Sequence, residues 1–285
     1  MRVRATASRM LLFVAFIAAC GGDAASPGRK TLVDSRDNYD PRSLDPALST
    51  DVPTGRAVAY VFDGLTQFSP DAAVQPGLAE RWELLAGSHP TYRFHLRRGV
   101  TFHDGTPFVA RHVISSWERA LAPGTKGGRA DPLLPIRGAR DFADGRVKAI
   151  SGLDAPDDST LIVTLDQPMG IFPKLLAMPV ASVTPPGLRA DHPVGTGPWR
   201  FVEWKHDDYL LFTRNLAYWG AVPKAESLRA RIIAEPSTAV AEFESGNVDV
   251  LLVPPGDASP PRGIDRKSTR LNSSHIQKSR MPSSA

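Results

Sequence analysis

The sequence predicts an α/β protein, a class in which helices pack against the faces of a sheet, and three observations indicate it. The segments Leu228–Ile233 and Val248–Val253 predict parallel strands, because the helical pattern between them completes a βαβ unit. The segments Tyr92–Leu96 and Thr160–Leu165 place apolar residues at alternate positions, as half-buried strands do. Between these two, apolar residues recur at helical spacing: Val109, Val113, Trp117 and Leu121.

The folded part of the chain opens with a predicted strand, turn and helix. The strand is expected at Lys30–Asp34. Ser43–Pro46 predicts a turn, because a proline moves the residue before it away from helical torsion angles. Thr54 is the expected N-cap of a helix that runs to Phe62, and Gly64 ends it.

The middle of the chain predicts one long helix and two short ones. Asp104-Gly105 predicts a tight turn, with the glycine at positive φ. Thr106 is the expected cap of the long helix, with Pro107 at its first position. Ile136–Phe142 and Ile171–Met178 predict the two short helices.

The last part of the chain predicts a hairpin before the βαβ unit. Trp199–Trp204 and Tyr209–Thr213 are expected to pair antiparallel, because a polar turn separates two segments rich in aromatic residues. In the βαβ unit, Ser237 is the expected helix cap and Gly246 the helix end.

The charge distribution argues against a nucleic-acid partner. The chain of 285 residues is 42% hydrophobic, as globular proteins are, and carries a net charge of +4. Three arginines in the first 20 residues and a net +5 in residues 262–285 exceed that total, so residues 21–261 carry a net −4. A mildly acidic body predicts no polyanionic partner.

The N-terminus predicts export and a lipid anchor. The apolar run Met10–Ile17 is shorter than the roughly 20 residues that span a membrane, which indicates a signal peptide over residues 1–19. Ala18-Ala19-Cys20 resembles a bacterial lipobox, which implies lipid attachment to Cys20 and a periplasmic or cell-surface location. The alternative is an ordinary signal peptide with an incidental cysteine. Residues 20–29 predict a flexible tether.

The sequence shows no established catalytic motif or metal-ligand spacing. His95, His103 and His112 fall on a predicted strand, turn and helix, which does not direct them to one metal ion. Asp157-Asp158 and Asp207-Asp208 lie in predicted turns, where aspartate is common for backbone reasons. We therefore expect no enzyme, no cofactor and no bound metal.

A series of short motifs runs in order across residues 30–255. These motifs are Ser43–Pro46, Phe62–Leu65, Leu78–Glu83, Tyr92–Val100, Phe102–Pro107, Ser116–Arg119, Gly195–Trp199, Asn215 with Tyr218-Trp219, and Glu244–Asp249. In this order they resemble the family 5 extracellular solute-binding proteins, which include oligopeptide- and dipeptide-binding proteins.

The resemblance implies the two-lobed periplasmic binding protein fold, type II, in its large three-domain class. Residues 30–65 and 190–255 would form the first lobe, and residues 66–189 an accessory domain. The second lobe would follow Val253, and we expect it to be missing from this chain.

The resemblance also implies a function and a binding segment. The protein would be the substrate-binding component of an ABC importer, a monomer that delivers peptides to the permease subunits. The binding segment maps to Thr50, Asp51, Val52, Pro53 and Thr54, whose backbone groups would hold a peptide by strand addition. The alternatives are a loop that merely precedes a helix, the same fold with a sugar, metal chelate or opine as ligand, a surface hydrolase, and a non-binding half-protein scaffold.

Residues 256–285 predict a non-native or disordered tail. From Arg262 onward the chain has few apolar residues and no periodicity, which is typical of a disordered basic tail. Arg266–His275 resembles translated sequencing-adapter read-through, which would make the tail artificial and the true gene longer.

Overall fold

The computed structural model describes residues 31–125, 128–253 and 276–279. Cys20, the signal segment and most of the tail therefore lie outside the described residues. The strands are β1 (Thr31–Asp37), β2 (Thr66–Phe68), β3 (Val74–Pro76), β4 (Ala79–Leu85), β5 (Thr91–Leu96), β6 (Leu153–Asp157), β7 (Thr160–Thr164), β8 (Trp199–Lys205), β9 (Tyr209–Arg214), β10 (Ser227–Ile232), β11 (Val250–Val253) and β12 (Ile276–Ser279). The helices are α1 (Val52–Val61), α2 (Ala110–Leu121), α3 (Ala139–Ala143), α4 (Phe172–Leu175) and α5 (Pro236–Glu244), with 3-10 turns at Pro46–Leu48, Asp131–Leu133 and Pro179–Ala181.

A six-stranded mixed sheet has the order β12-β11-β1-β10-β9-β8. Strand β1 is parallel to β11 on one side and to β10 on the other, so the two strands of the predicted βαβ unit run parallel, as predicted, with β1 between them. The predicted hairpin is confirmed as β8 and β9. Strand β12 lies within the tail and pairs antiparallel with β11, so these four residues form a strand instead of the disorder that their composition predicts. The non-native origin of the tail stays a prediction.

Helices cover both faces of this sheet. Helix α1 packs on one face and α5 on the other, which the alternation of strand side chains allows. The α1 side contains the buried residues Ala57, Val58, Val61, Phe62, Leu210, Phe212 and Leu228. The α5 side contains the buried residues Val33, Ala239, Phe243, Val248 and Leu251.

A four-stranded antiparallel sheet, in the order β4-β5-β7-β6, has its own core. Tyr92, Phe94 and Leu96 are buried at alternate positions of β5, as predicted. Helix α2 packs beside this sheet, and its fully buried Trp117 donates its indole N–H to the Ala181 carbonyl at 3.0 Å. This hydrogen bond satisfies the polar group that a buried tryptophan carries into a core.

A seam of buried polar contacts joins the two large sheets, and His103 lies at its centre. Its Nε2 donates to the Gly197 carbonyl at 2.9 Å, while its Nδ1 accepts from the Gly195 N–H at 3.4 Å. Burial lowers the pKa of His103 to about 4, so the ring is neutral at neutral pH. Gly195 is required there, because a Cβ atom would lie 2.0 Å from the Val61 carbonyl oxygen.

Asp63 forms the second half of the seam, just beyond the end of α1. Its carboxylate accepts from the Thr196 hydroxyl at 2.8 Å and from the Trp219 indole N–H at 2.9 Å. Burial raises the pKa of the Asp63 carboxyl group, although these hydrogen bonds act in the opposite direction. The Arg97 guanidinium lies over the Trp219 ring at 4.5 Å, so β5 and the segment after β9 meet here.

The predicted caps of α1 and α5 are wrong. Asp51 caps α1, because its side chain accepts from the Thr54 N–H at 2.9 Å. Thr54 is instead buried in the first turn, where its hydroxyl accepts from the Arg42 N–H at 2.9 Å. Helix α5 begins with Pro236 at its first position, and Ser237 is already helical.

The predicted start of α2 is also wrong, by three residues. Phe102 N–H donates to the Thr106 carbonyl and Phe108 N–H to the Val100 carbonyl, so the chain folds back as a small hairpin before the helix. Thr106 and Pro107 therefore stay extended, and α2 begins at Ala110. The positive φ predicted at Gly105 is confirmed at 89°. The short helices are also displaced, since α3 begins at Ala139 and α4 covers only Phe172–Leu175.

The strands β4, β6 and β8 lie at edges of the two large sheets, and each contains a register shift. The shifts occur between Ala79 and Arg81, between Asp154 and Asp157, and between Phe201 and Glu203. Such irregularities bend a strand and interrupt its hydrogen-bonding ladder.

Candidate ligand-binding groove

An open groove of about 530 Å³ runs beside the start of α1. One part of its lining comes from the chain that enters α1: Ser49, Thr50, Asp51, Val52 and Gly55. The other part comes from two 3-10 turns and their flanks: Arg129, Asp131, Pro132, Met178, Pro179 and Val180. Pocket volumes of this order accept small organic ligands or peptide side chains.

Asp45 fixes the chain that leads into the groove. One of its carboxylate oxygens accepts from the Ala47 N–H at 2.9 Å, which starts the 3-10 turn at Pro46–Leu48. The same carboxylate accepts two hydrogen bonds from the Arg119 guanidinium, at 2.7 and 2.8 Å. A bidentate arginine pair of this kind fixes direction as well as distance, so α2 holds the Leu-Asp-Pro turn in place.

The five predicted binding residues divide into two groups. Thr50, Asp51 and Val52 line the groove. Pro53 and Thr54 are buried in the first turn of α1, and Pro53 instead lines a small internal cavity. The groove thus contains three of the five, because the helix starts at Val52 and turns the next two side chains inward.

The backbone beside the groove has unused hydrogen-bonding groups. Among the described residues, the N–H groups of Thr50 and Val52 donate no hydrogen bond, and the Thr50 carbonyl accepts none. Asp51 has extended torsion angles, with φ at −135° and ψ at 167°. A segment with these properties can pair with an extended peptide.

Two ion pairs balance the charges of the groove. The Arg42 Nε lies 3.6 Å from the Asp51 Oδ2, and the Arg129 Nε lies 3.8 Å from the Asp131 Oδ2. Both members of the second pair are exposed, so solvent screens it.

Sequence reasoning missed the half of the groove that comes from residues 129–132 and 178–180. Only packing brings these turns beside α1. Gly55 permits the approach, because a Cβ atom there would lie 3.2 Å from the Pro179 Cγ. The exposed Met178, next to a proline, is the one local signal, and it is weak without the structure.

A buried polar network below α1 fixes the helix on its sheet. The Asp34 carboxylate accepts from the Tyr60 hydroxyl at 2.6 Å and from the Arg36 Nε at 2.9 Å. Burial raises the pKa of Tyr60, so its hydroxyl stays protonated and serves as a donor. Next to it, Arg56 on α1 pairs with Asp37 on β1, and burial raises the pKa of Asp37.

The histidines and paired aspartates considered for chemistry have separate partners. His95 contacts Glu83, and His112 accepts from the Val109 N–H at the start of α2. Asp157 accepts from the Ser159 N–H in a tight turn, and Asp208 pairs with Lys205. The part of the chain that the structure describes contains no cluster of three or more potential metal ligands. Within the same part, no helix has the length and apolar character needed to cross a membrane.

Comparisons with known proteins place these features in a family. The model of the bacterial extracellular solute-binding proteins, family 5 (middle region), matches residues 73–279. The dipeptide-binding protein DppE of Bacillus subtilis is 28% identical over 244 residues, which are 81% of this chain and 44% of the relative. The probable deoxycholate-binding periplasmic protein YgiS of Escherichia coli is 31% identical over 228 residues, which are 75% of this chain and 42% of the relative.

A solved structure shows the same fold. Haemophilus influenzae OppA in complex with the peptide RPPGFSPFR has a TM-score of 0.72 and 26% identity, covering 79% of this chain and 46% of that one. The chain thus spans about half the length of the relatives that it matches. The predicted fold class, α/β with the architecture of the two-lobed type II binding proteins, is confirmed.

Proposed function

The chain belongs to the bacterial extracellular solute-binding proteins of family 5, and from this premise we propose that it captures peptides for an ABC importer. In this role it binds a peptide outside the cytoplasmic membrane and delivers it to the permease subunits. The contribution of the protein is binding, without catalysis.

The backbone at Thr50 and Val52 is the observation that carries the proposal. Both residues line an open groove, and the backbone groups without hydrogen-bond partners there are of the kind that strand addition to a peptide main chain requires. Main-chain recognition uses groups that every peptide carries, so it supplies affinity without depending on one particular sequence.

The substitution Val52→Pro tests the proposal in the full-length gene product. Proline removes the N–H at position 52, and we expect peptide affinity to fall about tenfold, since one hydrogen bond contributes about 1.4 kcal/mol here. The melting temperature should stay nearly unchanged, because Val52 is the first helical residue and Asp51 already has torsion angles suited to the position before proline. Calorimetric titration with a peptide mixture and then with single peptides measures the affinity.

The matched control is Val52→Ala, which shortens the side chain but keeps the N–H. Its loss of affinity should be clearly smaller than that of Val52→Pro. Unchanged affinity in Val52→Pro, or equal losses in the two variants, contradicts strand addition at this position.

The proposal includes export and a lipid anchor at Cys20, which lies outside the described residues. It also includes a monomeric state. Fractionation of cells that express the full-length product tests the anchor, since a Cys20→Ser variant should leave the membrane fraction. Retention of that variant in the membrane fraction contradicts it.

A second candidate is the same fold with a non-peptide solute. The observation that favours it is the relative named for deoxycholate, which is not a peptide. The titration distinguishes the two candidates, because saturable binding of such a solute with no binding of any peptide replaces the first with the second.

A further inference from the structure

We propose that the groove beside α1 holds an apolar side chain of the bound peptide, so that the preferred ligands carry leucine, methionine or phenylalanine at that position. This inference rests on the proposed peptide-binding function and specifies its substrate class.

Two large apolar side chains are exposed in the same groove. Val52 is 67% exposed and Met178 is 42% exposed, and they come from segments more than 100 residues apart in the chain. Pro132 and Pro179 add apolar surface beside them. Covering such surface is favourable by about 25 cal/mol per Å², so an apolar occupant is favoured here.

The charged groups of the groove lie beside opposite charges of the protein itself. One Asp51 oxygen accepts from the Thr54 N–H, and the other is closed off from solvent and lies 3.6 Å from the Arg42 guanidinium. Arg129 and Asp131 form the remaining pair. A lysine or glutamate side chain that enters this groove therefore loses hydration and meets charges of both signs, so its net electrostatic gain is small.

The adaptable shape of methionine suits more than one apolar guest. Its unbranched side chain has several rotatable bonds and a polarizable sulfur, so it adjusts to leucine, methionine or phenylalanine. The inferred specificity is consequently for apolar character, and it excludes charge more strongly than it distinguishes size.

A series of tetrapeptides that differ at one position tests the inference. Calorimetric titration of the full-length gene product would compare alanine peptides that carry Leu, Lys or Glu at each position in turn. We expect one position where the Leu peptide binds at least about tenfold more tightly than the Lys and Glu peptides. The variants Val52→Thr and Met178→Gln should each reduce this Leu preference about fourfold, which corresponds to one buried methylene-sized contact.

Ile171→Thr is the matched control. Ile171 is 61% exposed and does not line the groove, so its replacement should leave the Leu preference unchanged. Equal affinity for Leu, Lys and Glu peptides at every position overturns the inference while the peptide-binding function stands. A Leu preference that both groove variants leave intact also overturns it, and the absence of binding by any peptide overturns the proposed function as well.

Discussion

Two polar side chains at the seam between the large sheets, His103 and Asp63, form hydrogen bonds between segments that are distant in sequence. His103 joins the turn before α2 to the loop at Gly195 and Gly197, and Asp63 joins the end of α1 to Thr196 and Trp219. Each of these side chains serves at least two hydrogen bonds, so its removal leaves more than one buried partner unsatisfied. Each buried polar group left without a partner lowers the free energy of unfolding by about 1–3 kcal/mol, so replacing either residue should destabilise the protein strongly.

His103 gives the protein a pH-dependent stability of predictable sign. Its pKa is lowered to about 4 in the fold, against an ordinary value of 6.5, so unfolding takes up a proton between these limits. The contribution of His103 is fully present above about pH 6.5, and it is lost as the pH falls towards about 4, by at most about 1.4 kcal/mol per pH unit. Urea unfolding of the wild type and of His103→Gln, between pH 7 and pH 4.5, measures it.

The difference in unfolding free energy between the wild type and His103→Gln should shrink as the pH falls. Other titrating groups contribute equally to both proteins, so the difference isolates the contribution of His103. His89→Gln is the control, since His89 is exposed on the turn between β4 and β5. A difference that does not change with pH contradicts a neutral buried imidazole.

At the scale of elements, the sequence signals predicted β1, β5, β7, β8, β9, β10, β11 and the existence of the helices. They missed β2, β3, β4, β6 and β12, and they failed at the helix starts. In β5 and β7 the buried residues alternate with less buried ones as predicted, because each strand packs only one face against the core. The start of α1 depends instead on which of two polar residues caps it, and the start of α2 depends on the small hairpin that precedes it. Asp51 and Thr54 both have side chains that can cap a helix. In the structure Asp51 accepts from the Thr54 N–H, while the Thr54 hydroxyl accepts from the backbone N–H of Arg42.

The candidate site was also only partly predictable from the sequence. The segment at Thr50–Val52 follows from motif order along the chain, whereas the facing turn at Met178 depends on long-range packing that no local pattern encodes. The burial of Pro53 and Thr54 follows from the helix start at Val52, which the assignment of Thr54 as the cap placed three residues too late.

The cap assignment of α1 yields a prediction at this scale. Asp51→Ala should lower the free energy of unfolding by about 1 kcal/mol, because the Thr54 N–H loses its acceptor. Asp51→Asn should keep most of the stability, since asparagine is an equally good cap. Chemical denaturation of the three proteins measures the difference, and equal losses in both variants would show that the charge of Asp51, not its capping geometry, is what matters.

At the scale of the whole molecule, the two large sheets are joined so closely that we expect them to unfold together. The six-stranded sheet is built from residues 31–37, 199–253 and 276–279, and the four-stranded sheet from residues 79–164. We propose that the predicted division into a first lobe and an accessory domain follows these sheets. The seam at His103 and Asp63 would then make one rigid body of them.

Gly195→Ala tests that rigidity. The added Cβ would lie 2.0 Å from the Val61 carbonyl oxygen, a backbone atom that cannot turn away, so we expect a loss of about 3 kcal/mol. Gly124→Ala is the control, because no atom lies within 4 Å of its added Cβ. Hydrogen exchange should accelerate in both sheets of the Gly195 variant, and acceleration in one sheet alone would show that the sheets are independent units.

The irregular edge strands affect the tendency of the protein to aggregate at high concentration. A straight, fully paired edge is a template on which a second molecule can add its own strand and begin an aggregate. In β4, β6 and β8 the register shifts break that template, and Arg200, Glu203 and Lys205 add charge along β8. Copies of the protein are thereby less able to join through these three edges, so they stay separate when they are crowded together.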